Sequence, residues 1–171
     1  FKDFLGRLRK EKLFREFRTI ETASDHCVQL DGKDIVMLAS NNYFGLNVHP
    51  EVVEGAVAAL KRYGTGNAAS RLVVNLDIHS KLEKALAAYK KQEACLVYSS
   101  GYAANVGVLS SVMGEDAVIL SDELNHASIV DGCKLSRAAV CVYSHCDVAH
   151  LELLLKEHAG KKMLVVTDSI F

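Results

Sequence analysis

From Ala94 to its last residues the chain repeats one unit, a short apolar run followed by a stretch of helix length. Apolar runs at 94–98, 117–120, 139–143 and 163–167 predict strands. The stretches Tyr102–Val112, Ala127–Leu135 and Val148–His158 between them predict helices. Strands joined through a helix run parallel, because a crossover of that length brings the chain back to the end of the sheet it started from. The runs are apolar at consecutive positions rather than at every second one, the pattern of strands covered on both faces. The fold class predicted is α/β, a doubly wound and mainly parallel sheet with helices on both faces. In such sheets a ligand lies in the crevice at the carboxyl ends of the strands. The stretches that leave the first two strands, "YSSGYAAN" (98–105) and "SDELNHAS" (121–128), thus become candidate sites.

Upstream of this repeat the pattern changes. Phe4, Leu5, Leu8, Leu13, Phe14 and Phe17 stand among Lys and Arg and predict an amphipathic helix over 4–17 with a basic face. Val28–Leu30 and Ile35–Leu38 flank Asp31-Gly32-Lys33-Asp34 and predict a hairpin with an Asp-Gly turn. "SNNYFGL" (40–46) reads as a loop, and Pro50 opens a helix that reaches about Tyr63. His79–Lys90 is a further amphipathic helix. "GTGNAASR" (64–71) is not a dinucleotide loop: it follows a helix rather than a strand, and its third glycine position is Ala69.

Composition removes several function classes. The 20 basic and 21 acidic residues leave a net charge of -1, so no basic surplus points to nucleic acid. No apolar run reaches the ~18 residues of a spanning helix, which argues against a membrane protein. The five cysteines form no C-x-x-C pair and read as reduced thiols of a cytosol-type compartment. No metal-ligand spacing is evident. The start at Phe1 and the stop just after an apolar strand read as a fragment, because a buried parallel strand needs covering elements.

Each strand-end stretch admits two readings. In "YSSGYAAN" Gly101 lets a backbone approach a ligand, and the amides of a helix start with serines nearby suit an anion such as phosphate. A serine-capped helix start with a glycine turn accounts for it equally well. His126 at the next strand end can stack on a ring or donate to a carboxylate, or it is a loop histidine with its own partners. Asp168, at the end of the last strand, can orient a cofactor or cap a helix.

Taken in order, "SNNYFGL", "HP", "GTGNAASR", "HSKLE", "YSSGYAAN", "SDELNHASI" and "VVTDSIF" resemble the N-terminal half of the α-oxoamine synthases. The resemblance runs from about Phe4 to Phe171, and "NHAS" and "SSGYAAN" are its specific parts. It implies the fold-type I architecture of pyridoxal-phosphate-dependent transferases, with 1–45 an N-terminal helix and hairpin segment and 46–171 the first part of the cofactor-binding large domain. The implied reaction joins an amino acid to an acyl thioester with loss of carbon dioxide. The opening "LGRLRKEKLFREFRTIE" is most like the biotin-pathway branch, which implies L-alanine and a pimeloyl thioester. The glycine C-acetyltransferases are the alternative branch.

Residue by residue, the resemblance implies that His126 stacks on the cofactor ring and that Gly101 and Tyr102 hold its phosphate through backbone amides. Asp168 falls at an acidic position close to the cofactor. Arg15 matches an arginine that meets a substrate carboxylate, and Asn41 a loop asparagine near the active site. A homodimer with a shared site is implied, in the cytoplasm. The lysine that such enzymes join to the cofactor, the aspartate for its ring nitrogen and a further serine are expected beyond Phe171, so this stretch alone is expected to be inactive. A chain without that lysine would be a non-catalytic partner subunit. The family pattern "LVxGNL" appears here as "RLVVNL" (71–76), one residue short of its glycine.

Overall fold

The structure is a computed structural model that describes residues 1–23 and 25–171, and its chain divides into two units, Phe1–Val74 and Asn75–Phe171. In the first unit the opening helix α1 spans Lys2–Lys10 rather than the expected 4–17. Lys12 turns into the left-handed region at φ 57°, and the amides of Leu13 and Phe14 bond back to the Leu8 carbonyl at 2.8 and 3.1 Å. That closure ends the helix ahead of Phe14 and Phe17. The hairpin forms from β1 (Cys27–Leu30) and β2 (Lys33–Val36), with Leu30 opposite Lys33. Asp31 and Gly32 both take positive φ, 52° and 70°, as a two-residue turn matched to strand twist requires. Helix α2 (Pro50–Tyr63) starts on its proline, as expected.

The second unit begins with α3 (Asp77–Lys90) and α4 (Gly101–Val112). Strand β3 (Ala117–Asp122), α5 (Ala127–Leu135), β4 (Ala139–Tyr143), α6 (Val148–Glu157) and β5 (Lys162–Val166) follow. The sheet is parallel in the order β4-β3-β5, with Leu120 opposite both Cys141 and Val165. Central β3 is buried along its whole length, and the period of two sends its side chains to opposite layers. Ala117 and Ile119 pack with Leu109 and Met113 and with Ile129 and Cys133 of α5. Val118 and Leu120 pack on the other face with Tyr143 and with Leu154 of α6. Helices thus cover both faces, the doubly wound arrangement expected from consecutive apolar positions.

The run 94–98 departs from expectation. It pairs with no strand among the described residues, and the sheet there consists of β4, β3 and β5 alone. The Val97 amide donates instead to the Glu83 carboxylate of α3 at 3.0 Å.

Helices α4 and α5 approach closely at Gly132. A Cβ there would stand 2.9 Å from the Asn105 carbonyl oxygen and 2.9 Å from Leu109 Cδ1. Gly132→Ala is therefore expected to cost about 1–3 kcal/mol through overpacking. Urea unfolding checks this as a lower midpoint with an unchanged slope. An unchanged midpoint would mean that the two helices separate freely.

Candidate functional site

The site is built from two helix starts and one strand end. Ser100 caps α4, its Oγ accepting the Ala103 amide at 3.1 Å. The amides of Gly101 and Tyr102 lie in the first turn, where a helix has no carbonyl for them and where its dipole is positive. A Cβ at Gly101 would meet nothing within 4 Å, so packing within the chain gives no reason for glycine there. A close-approaching anion does give one.

The start of α4 is bonded to α5. Asn105 Nδ2 donates to Ser128 Oγ at 2.9 Å, and the Tyr102 hydroxyl donates to Asp131 Oδ2 at 2.5 Å. The Asp131 carboxylate holds the Tyr102 hydroxyl above the usual tyrosine range, and burial adds to the shift. Backbone and side chain of Tyr102 therefore serve different ends: the amide stays open while the ring is tied down.

His126 is itself the N-cap of α5, which its sequence position alone did not indicate. Its Nδ1 accepts the Ser128 amide at 3.1 Å and lies 2.7 Å from Ser128 Oγ. With Asn105 donating to that same Oγ, the hydroxyl proton points at Nδ1, and the ring proton belongs on Nε2. One edge of the imidazole is thus fixed, and the residue remains exposed for a partner.

Asp168 is drawn to the same place. Its Oδ2 accepts the His126 amide at 2.9 Å, and its own amide donates to Asn125 Oδ1 at 2.9 Å. Asn125, 8% exposed, also donates to Ser121 Oγ at 2.9 Å and to the Val166 carbonyl at 2.8 Å. It clamps the end of β3 to the end of β5. Of the two readings for Asp168, the structure shows a backbone-holding one: one carboxylate oxygen accepts the amide of His126, the residue that caps α5.

Hydrogen bonds from Tyr102 and Asn105 of α4 to α5, and from His126 to Asp168, bring the α4 start at Gly101, His126 and Asp168 into one neighbourhood. Arg15 and Asn41 belong to the first unit: Arg15 is exposed after α1, and Asn41 is exposed at a bend before the short 3-10 turn Leu46–Val48. Asn105, Asn125 and Ser128 were not singled out by sequence. Their bonds to one another and to β5 span 23 and 41 positions, a separation no local pattern reveals. The donor set suits a phosphate carried on an aromatic ring: open amides for the anion, an imidazole face for the ring, an acid nearby.

Comparison with known proteins agrees with this reading of the geometry. The profile of the aminotransferase class I and II family matches residues 33–171. The 8-amino-7-oxononanoate synthase of Geobacter sulfurreducens is 49% identical over 169 residues, 98% of this chain and 43% of that protein. The 8-amino-7-oxononanoate synthase of Geotalea daltonii is 46% identical over 174 residues, 100% of this chain and 44% of that one. A serine palmitoyltransferase from S. paucimobilis, solved with a bound PLP–myriocin aldimine, superposes with a TM-score of 0.85 at 27% identity, covering 96% of this chain and 42% of its own. The chain thus spans less than half the length of these relatives.

Proposed function

This chain belongs to the aminotransferase class I and II family, and from that membership we propose that it supplies the cofactor cradle of a pyridoxal-phosphate-dependent C-acyltransferase. The specific activity proposed is 8-amino-7-oxononanoate synthase, joining L-alanine to a pimeloyl thioester in biotin synthesis. The observation that carries it is the pairing of open amides at Gly101 and Tyr102 with an exposed, edge-fixed His126 on the adjacent helix start.

In this reading the Gly101 and Tyr102 amides donate to the phosphate, and the His126 ring lies against the pyridine. When bound, the cofactor supplies an electron sink for charge that develops on the α-carbon of the amino acid. The chain's own contribution is orientation: Asn125 and Asp168 hold His126 in place, and Ser128 holds its ring edge. Arg15 is proposed to meet the substrate carboxylate and Asn41 to be a loop residue near the active site, as the resemblance implies. The working form proposed is a homodimer with a shared site in the cytosol.

The test uses the protein that carries this segment together with the remainder found in its relatives. Amino ketone and carbon dioxide are measured with L-alanine plus pimeloyl-CoA and with glycine plus acetyl-CoA. Turnover with alanine alone is expected. Turnover with glycine alone would replace the reading by a glycine C-acetyltransferase, and no turnover with either would leave a non-catalytic subunit. Gly101→Ala tests the cradle by itself. It is expected to weaken pyridoxal phosphate binding about tenfold, roughly 1.4 kcal/mol, by placing a methyl group where the phosphate approaches. The apo protein's unfolding midpoint should hold or rise slightly, because alanine favours a helix over glycine. Unchanged affinity would remove the phosphate from this helix start.

A further inference from the structure

The ends of β3 and β4 carry a second cluster that the proposed reaction does not use. Asp122 closes β3 opposite Tyr143, and His145 and Cys146 follow the end of β4. His145 Nδ1 stands 3.1 Å from both carboxylate oxygens of Asp122, and Cys146 Sγ stands 3.3 Å from His145 Nε2. The His145 amide donates to Glu123 Oε1 at 2.7 Å, which fixes the loop. The ring is braced by Phe171, edge to face with centroids 4.4 Å apart.

The charge states follow from these contacts. Asp122 is 4% exposed. Burial pushes its carboxyl up, but the Leu124 amide, the His145 ring and the Cys146 amide together outweigh that and hold it below the usual range. The carboxylate accepts a hydrogen bond from Nδ1–H of His145, which leaves the Nε2 lone pair toward the thiol. Nucleophile, base and orienting acid thus stand in series, the arrangement that activates sulfur in acyl-transfer enzymes of unrelated fold.

Room for a reactant lies in front of the sulfur. A cleft of about 340 Å³ is lined by His145, Cys146, Val148, Leu151 and Phe171, and it borders the candidate cofactor site at Asp168. Cys146 is exposed and sits in the left-handed region at φ 57°, which a cysteine adopts only under constraint. The other thiols differ. Cys133 is buried, and burial pushes its thiol up. Cys141 is half-buried with His158 Nε2 at 3.3 Å, and Cys27 is exposed on the hairpin.

We propose that Cys146 is a thiolation site that takes a low-molecular-weight disulfide into this cleft. The Cys146 S–H bond breaks and its proton passes to His145 Nε2. Sγ forms a bond to one sulfur of the disulfide, whose S–S bond breaks. The departing sulfur leaves as thiolate and recovers the proton from His145, so the products are a mixed disulfide and one free small thiol. The small disulfide is the oxidant, and no other is required.

The experiment treats the full-length holoprotein with glutathione disulfide at neutral pH and follows adducts at each cysteine by peptide mass spectrometry. Cys146 is expected to react first, about tenfold or more faster than the exposed Cys27, with Cys133 unmodified. His145→Asn is expected to slow Cys146 about tenfold or more while leaving Cys27 unchanged. Cys146 reacting no faster than Cys27 in the unaltered protein would overturn the proposal without recourse to a variant. So would an unchanged Cys146 rate in a His145→Asn protein whose Cys133 stays protected, which reports an intact core.

Discussion

His126→Asn is expected to lower turnover of the complete enzyme about 100-fold or more while leaving its stability nearly untouched. The separation is possible because His126 performs two tasks with different atoms. Its Nδ1 caps α5 by accepting the Ser128 amide, and asparagine is among the preferred capping residues. The ring face that would bear on the cofactor has no counterpart in asparagine. Loss of an orienting contact at a reacting group costs on the order of 10²-fold. His126→Ala removes both functions and should add about 1 kcal/mol of destabilisation from the lost cap. Turnover and urea midpoints of the two variants are to be read together. Full activity in His126→Asn would show that the ring has no part in the chemistry. An equal loss of stability in both would show that asparagine does not reproduce the cap.

Asn125→Leu should give the largest change in stability, about 2–4 kcal/mol, because several buried groups lose partners at once. The side chain joins Ser121 Oγ, the Val166 carbonyl and the Asp168 amide, and leucine of similar size can bond to none of them. The position is 8% exposed, so water replaces few of these bonds. Release of Asp168 also frees the acceptor of the His126 amide, so pyridoxal phosphate affinity should fall with stability. Asn125→Asp is the informative companion. It keeps the acceptor for the Asp168 amide and loses the donors to Ser121 and Val166. Chemical denaturation with calorimetric cofactor titration measures both effects. A change in unfolding free energy below about 0.5 kcal/mol, the range of ordinary surface substitutions, would remove Asn125 from the role of clamp.

Much of the second unit was legible because its signals are local. The bounds Ala127–Leu135 and Ala139–Tyr143 emerge as read, since an apolar run and a following amphipathic stretch each declare their own period. The hairpin was legible for the same reason: Asp31-Gly32 accepts positive φ at both positions. Where the outcome depended on other parts of the chain, local reading fell short. The run 94–98 has strand composition, yet an edge to pair with is a property of the sheet and not of the run. Helix α1 stops at Lys10 because the chain folds back on the Leu8 carbonyl, although the apolar pattern continues to Phe17.

The candidate site divides in the same way. Gly101, Tyr102, His126 and Asp168 could be named from sequence because each sits at the end of a strand or the start of a helix, and that position follows from element order. Their hydrogen bonds could not be named. The Asn125 clamp joins positions 41 residues apart and the Asp122–His145 pair positions 23 apart, and the cap on α5 is an imidazole rather than one of the common capping side chains. By itself the sequence determined the α/β class, the order of elements from β3 onward and the end of the sheet at which the candidate site lies, because those rest on periodicity and turn chemistry. Only the tertiary structure decided which side chains meet there and which hydrogen bonds they make, because that depends on strand register and on polar groups that must find partners once water is excluded.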